Sequence, residues 1–193
     1  MIISEAEKLR SFEGTHISIG ITADGSPVKA ISVPWERTGS AYNMRIPNVF
    51  LEEKDLSTPE IMAALDKFTV IGCYILTALE DYSFLSKFVH LEDVYIRAGE
   101  NITDLSFMEN LTEWFMFYLE DAHLTNLDAL LIQKERKSTF HSFCLGLNRC
   151  QVDDVSAIER SGIHLSELIV WGPKSHEKKW HLPAMTRRYY VCE

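Results

Sequence analysis

The chain has 193 residues, 46 % of them hydrophobic, and its 28 acidic against 19 basic residues give a formal net charge of −9. This length favours a single domain, and the apolar fraction is typical of a folded globular chain rather than a disordered one. The negative charge argues against binding to nucleic acids or to anionic membranes, because both require clustered Lys and Arg side chains.

The first residues, Met1–Glu5, contain no basic segment followed by a long apolar one. The longest apolar stretch, Phe68–Leu79, is too short to span a membrane. We therefore expect a cytoplasmic protein.

The cysteines predict a reducing environment. They are Cys73, Cys144, Cys150 and Cys192. None of them forms a C-x-x-C pair, which is typical of buried thiols in the cytosol. A bridge between Cys144 and Cys150 across a turn would require an oxidising compartment.

Three strands are predicted in the first fifty residues. Residues 15–22 alternate with the two-residue period of a strand, and Asp24-Gly25 is a turn signal. Val28–Val33 and Tyr42–Leu51 supply two more strands, the second of which Pro47 would place at an edge or end. We expect a small antiparallel sheet or hairpin that closes the first edge of the following structure, because open edges invite aggregation.

A helix is predicted from Pro59 to about Lys67. Ser57 can cap its first turn, and Glu60 completes a capping box. Its apolar face would pack across the start of a strand at Phe68–Ile71. That face carries Ile61, Met62 and Leu65.

The stretch from Asp81 to Val170 repeats one pattern four times. Each copy begins with Asp or Asn and continues with small and apolar residues, and the starts lie 23, 22 and 28 residues apart. These motifs are Asp81–Leu85, Asp104–Met108, Asn126–Leu130 and Asp154–Ile158. Each motif is followed by large apolar residues at a first position, three later and five later. The triplets are Leu91/Val94/Ile96, Leu111/Trp114/Met116, Phe140/Phe143/Leu145 and Leu165/Leu168/Val170, with Leu65/Phe68/Val70 as an earlier member.

The spacing within each triplet predicts how the copies pack. The last two positions are two residues apart and therefore share one face of a short strand. Such a strand cannot bury its apolar face alone, so we expect successive copies to stack side by side around a continuous core. Residues 83–89 and 106–110 would form short helices or turns on the convex side.

This pattern, at a period of about 20–29 residues, resembles the leucine-rich repeat family in a divergent, bacterial-type form. The match is L-x-x-V-x-I at Leu91–Ile96, followed by Asn101-Ile102-x-Asp104-Leu105. Asn101 resembles the family's buried asparagine, whose side chain satisfies backbone groups in the turn, and Cys150 resembles the same position in a later copy. The resemblance implies an α/β solenoid: a short right-handed coil with a mostly parallel sheet on one face and short helices or turns on the other. It also implies protein–protein recognition through the sheet face.

We divide the chain into three regions. Residues 1–64 form an N-terminal cap of β-hairpin and helix, residues 65–172 form the leucine-rich-repeat-like region, and residues 173–193 form a C-terminal cap. Gly172-Pro173 stops the last repeat strand, and Tyr189–Cys192 supplies a final one. The basic segment 133–138 is expected to lie on a solvated face.

Signals for catalysis are weak. The sequence has no nucleophile elbow, phosphate-binding glycine loop or two-histidine metal helix. His141 and Cys144 would face opposite sides of a strand, so a catalytic dyad would require distortion. His176, His181 and Cys192 match no common zinc-site spacing. We therefore predict no catalytic residue, no metal and no cofactor.

The outward face of the predicted sheet is the candidate site. Its inner column would hold Thr69, Tyr95, Phe115, Cys144 and Ile169, and the next column Ile71, Arg97, Phe117, Gly146 and Trp171. Exposed aromatic clusters typically mark protein partner sites, and the acidic residues that flank these columns favour a basic partner. The predicted partner-binding residues are Glu92, Asp93, Tyr95, Arg97, Glu113, Phe115, Phe117, Glu167, Ile169 and Trp171.

Three alternatives stay open. The aromatic side chains could be covered by the N-terminal segment, the C-terminal tail or a second copy of the chain. The protein could be a small acidic, immunity-type inhibitor of a basic cytoplasmic toxin or enzyme. It could also be an enzyme whose site is assembled around His141 and Cys144.

Overall fold

The fold is built from short strands joined by turns and short helical segments. A computed structural model of the chain describes residues 16–29, 47–111, 113, 116–131 and 144–161, and the backbone alone at 32–33, 42–43, 132, 143, 165–171 and 189–192. The strands are β1 (His16–Ile21), β2 (Ser32–Val33), β3 (Tyr42–Asn43), β4 (Val49–Leu51), β5 (Thr69–Ile75), β6 (Asp93–Ile96), β7 (Met116–Glu120), β8 (His123–Leu124), β9 (Phe143–Asn148), β10 (Gln151–Val152), β11 (Leu165–Trp171) and β12 (Tyr189–Cys192).

Eight strands form one parallel sheet in the order β12-β11-β9-β7-β6-β5-β1-β4. From β5 to β12 the neighbours in this sheet follow the order of the chain. The intervening strands β8 and β10 pair in parallel in a second, two-stranded sheet. The predicted α/β arrangement with a mostly parallel sheet is thus confirmed, as are the final strand at Tyr189–Cys192 and the strand at Leu165–Trp171.

The repeated motif has one local structure in all four copies. The side-chain oxygens of Asp81, Asp104, Asn126 and Asp154 accept hydrogen bonds of 2.7, 2.8, 2.9 and 2.8 Å from the backbone N–H two residues later. This Asx turn bends the chain into a helical segment in each copy. The segments are the 3₁₀ helices Ser83–Lys87 and Ser106–Met108 and the α-helices Ala129–Ile132 and Ser156–Ser161. The short helices expected after the first two motifs are therefore confirmed.

The core lies between the large sheet and these helical segments. Val94 and Ile96 are fully buried in it, as the sequence pattern predicts. In the next copy, however, the residues paired with them are Phe117 and Leu119, so the predicted triplet Leu111/Trp114/Met116 has the wrong register. The cause is that β7 is apolar on both faces, which leaves no alternation to set its register.

The N-terminal strands differ from the prediction. Strand β1 lies between β4 and β5 and pairs with both in parallel, so it extends the large sheet instead of forming an antiparallel one. Its residues Ile17, Ile19 and Ile21 join the core. Antiparallel pairing in the described residues is confined to β2 with β3. The single strand predicted at Tyr42–Leu51 is divided into β3 and β4, which belong to different sheets, and β4, which follows Pro47, lies at the edge of the large sheet.

The predicted helix is present at Pro59–Leu65, with Ile61 and Leu65 buried. The expected capping box of Ser57 and Glu60 is wrong, because a second short helix, Glu53–Leu56, precedes it and carries the box itself. There the Asp55 carboxylate accepts a hydrogen bond of 2.9 Å from the backbone N–H of Glu52. Among the described residues, no helix has the length and apolar character that a membrane crossing requires.

Asn101 and Cys150 do not share one position. The pairing of Ile96, Leu119 and Leu147 makes Gly99, Ala122 and Cys150 equivalent, because each follows its paired residue by three. Asn101 lies two residues further on and is exposed, although its Nδ2 donates a 2.8 Å hydrogen bond to the carbonyl of Leu79 in the preceding copy. The expected contact with the backbone exists, but at another point of the turn.

Candidate functional site

A row of tyrosines crosses the outer face of the large sheet, the face that points away from the core. Tyr74, Tyr95 and Tyr118 are paired across β5, β6 and β7, and the row continues to Gly146 and Ile169. Tyr95 and Ile169 were placed in this column from the sequence. Tyr118 and Gly146 take the places predicted for Phe115 and Cys144, since the register of β7 and β9 differs from the triplet alignment.

These tyrosines are buried, which corrects the predicted exposure of Tyr95. The exposed fractions of Tyr74, Tyr95 and Tyr118 are 0 %, 3 % and 3 %. Phe117, also predicted to be exposed, is fully buried in the core. This burial arises within a single chain and therefore needs no second copy to cover these side chains.

Glycines allow the aromatic rings to lie close to the sheet. A Cβ atom on Gly146 would lie 2.7 Å from Cε2 of Tyr118 and closer still to Cδ2, and one on Gly20 would lie 2.8 Å from the Phe50 ring. The rings of Tyr95 and Tyr118 pack against each other with centroids 5.2 Å apart. The row is therefore tightly packed, and glycine is required where a ring crosses the neighbouring strand.

A buried carboxylate connects three strands of this face. Glu120 is 5 % exposed; its Oε1 accepts a hydrogen bond of 2.9 Å from the Tyr95 hydroxyl, and its Oε2 accepts one of 2.9 Å from Nη2 of Arg149. Arg149 also donates to both carboxylate oxygens of Asp121, at 2.6 and 2.7 Å. Two hydrogen-bond donors, one of them charged, thus offset the cost of burying this carboxylate.

A second tyrosine–carboxylate contact lies one strand away. The Tyr74 hydroxyl donates to Oδ2 of Asp93 at 3.4 Å, a long hydrogen bond. Asp93, which was predicted to be an exposed partner-binding residue, is only 7 % exposed, so its predicted exposure is corrected.

The electrostatics of the row favour fixed protonation states. Burial, followed by the charge of Glu120, raises the pKa of both Tyr95 and Tyr118 well above the usual value. The hydrogen bond with Asp121 raises the pKa of Arg149. The phenols therefore stay protonated and the guanidinium stays charged at neutral pH, which suits a structural network rather than proton transfer.

The margins of the sheet carry the exposed charges. Arg97 is exposed, while Glu92 and Glu113 are partly exposed, and Nδ1 of His90 lies 2.9 Å from Oε2 of Glu113. Phe115 and the side chains of Glu167, Ile169 and Trp171 lie outside the described residues. In the described part of the chain Val89 is the one large hydrophobic side chain that is exposed, so the accessible surface there is polar.

An open cleft of about 390 Å³ lies between the first two repeated motifs. Glu80, Asp81 and Asp104 contribute acidic groups, and Tyr82 and Phe107 contribute rings. Hydrogen bonds from Ser83 and Ser106 lower the pKa values of Asp81 and Asp104. Asp81 and Asp104 are held in place by the hydrogen bonds of the Asx turns, so their positions in the cleft need no ligand to explain them.

Comparison with known proteins gives no match. No family model, no curated protein and no solved structure matches this chain. Within the described residues no group of three or more His, Cys, Asp or Glu side chains could hold a metal ion. His141 lies outside those residues, and Cys144 is half-buried on β9, so the enzyme alternative stays a hypothesis.

The network of Glu120, Asp121 and Arg149 was not predicted. A usable signal exists in the sequence: Glu120-Asp121 directly follows the apolar positions of β7, and Asn148-Arg149 directly follows those of β9. Alignment of the copies on the strand ends, rather than on Leu111 and Phe140, places the acidic pair beside the arginine. The residues around Glu120 in the sequence do not indicate that its side chain is buried.

Proposed function

We propose that this protein is a non-catalytic protein-recognition module built as a short solenoid of the leucine-rich repeat type. The observation that supports the proposal is that parallel strands from β5 to β12 lie side by side in chain order and are joined through the same Asx turn in four copies. Repeat arrays of this kind present an extended, rigid face to other proteins. The link from architecture to function is an analogy between folds.

The contact surface in this proposal is the sheet margin at the N-terminal ends of β6 and β7, where Glu92 and Glu113 remain accessible. Arg97 is also accessible but follows the C-terminal end of β6, whereas Tyr95 and Phe117 are buried. Binding through such a margin depends on charge complementarity, which accelerates encounter and selects the partner. The net charge of −9 favours a partner of basic character overall. The interaction needs no cofactor, and we place it in the cytoplasm.

Affinity capture with charge-reversed variants tests the proposal. The tagged full chain and the variant Glu92→Lys/Glu113→Lys are compared in an extract of the source cells at increasing salt. The control is Glu109→Lys/Glu159→Lys, which changes the net charge equally at two other exposed positions.

We expect the wild type and the control to retain one protein in a defined stoichiometry. The margin variant should bind it about tenfold more weakly, or ~1.4 kcal/mol. Salt should weaken the wild-type complex, because exposed charges are screened. Absence of any stoichiometric partner, or equal retention by the margin variant, would refute the proposed function.

A further inference from the structure

We draw no further inference here: the strongest candidate, the open cleft lined by Glu80, Asp81 and Asp104 between the first two repeated motifs, is a cluster of acidic residues, and nothing in the described part of the chain points to a ligand for it.

Discussion

Asp121 and Arg149 occupy equivalent positions in adjacent copies of the repeat and bind each other. Each follows a residue pair of the large sheet, Glu120 with Asn148, and each has a positive φ, 61° and 53°. Two hydrogen bonds of 2.6 and 2.7 Å join their side chains. Positive φ is uncommon for residues with a Cβ, so this pair holds two turns in a conformation that neither adopts readily alone.

Removal of Arg149 should destabilise the fold. In Arg149→Gln the buried carboxylate of Glu120 keeps only the Tyr95 hydroxyl as a donor, and Asp121 loses its ion pair. We expect a loss of about 2 kcal/mol, since a buried charge is left partly unsatisfied while Arg149 itself is half-exposed. Urea unfolding measures the change. The exposed pair of Arg160 and Asp128 provides the control: Arg160→Gln should cost less than ~1 kcal/mol, and equal losses would contradict the assignment.

The register of β7 makes a second prediction. Because Phe117 is fully buried in the core, Phe117→Ala should lower the free energy of unfolding by about 3–5 kcal/mol. Arg97→Gln, in the preceding copy and exposed, should change it by less than ~0.5 kcal/mol. Thermal and chemical unfolding of both variants provides the comparison. A loss below ~1 kcal/mol for Phe117→Ala would show that this side chain is exposed and not buried in the core.

The contact between Gly146 and Tyr118 predicts that Gly146→Ala has opposite effects on stability with and without the Tyr118 ring. In the wild type, Gly146→Ala should destabilise the protein by about 1–3 kcal/mol, because the new methyl group overlaps the buried ring. In a Tyr118→Ala background the same substitution should stabilise it by about 0.5 kcal/mol, since alanine restricts the unfolded chain more than glycine does. A double-mutant cycle measures this coupling. An equal cost in both backgrounds would show that the ring is not the obstacle.

The Asx turns predict a pH dependence that asparagine removes. Hydrogen bonds from the backbone and side chain of Ser83 lower the pKa of Asp81 in the folded state. Its contribution is therefore fully present above the unfolded pKa of about 3.9, and it is lost as the pH falls through the lower folded value. Asp81→Asn keeps the acceptor, as Asn126 does in the third copy, and should show less acid destabilisation between about pH 4 and 2 than the wild type.

Alanine at the same position serves as the comparison. Asp81→Ala loses the turn hydrogen bonds at every pH and should cost about 1 kcal/mol at pH 7. Unfolding free energies of the three proteins from pH 2 to 7 give the result. If Asp81→Asn and Asp81→Ala behaved alike at pH 7, the turn would not depend on this acceptor.

The repeated motifs and strand β6 show where sequence reasoning succeeds. Asp81, Asp104, Asn126 and Asp154 were aligned from the recurring motif in the sequence, and the structure gives each of them the same Asx turn. This agreement is local, because an Asx turn depends only on residues within two positions. Val94 and Ile96 were assigned to the core correctly because their neighbour Asp93 breaks the apolar run. Local signals of this kind need no knowledge of the rest of the chain.

The sequence predictions failed where the pattern of a strand fits both of its faces, or both pairing directions, equally well. In Met116–Leu119 every residue is apolar, so the pattern of β7 fits either face, and packing against β6 and β9 selects the face on which Phe117 is buried. The same holds for β1, whose alternation predicts a strand but not whether its neighbours run parallel or antiparallel to it. Pairing with β5, some fifty residues away, settles that question.

The sequence by itself indicated a motif that begins with Asp or Asn, recurs four times and is followed each time by a short apolar strand, since these features depend on residues close together in the chain. The tertiary structure alone decided that Tyr95 is buried and that Glu120 binds both Tyr95 and Arg149. Those outcomes depend on side chains that the parallel stacking brings together from 20 or more positions apart, and spacing along the chain carries no information on which of them are buried together.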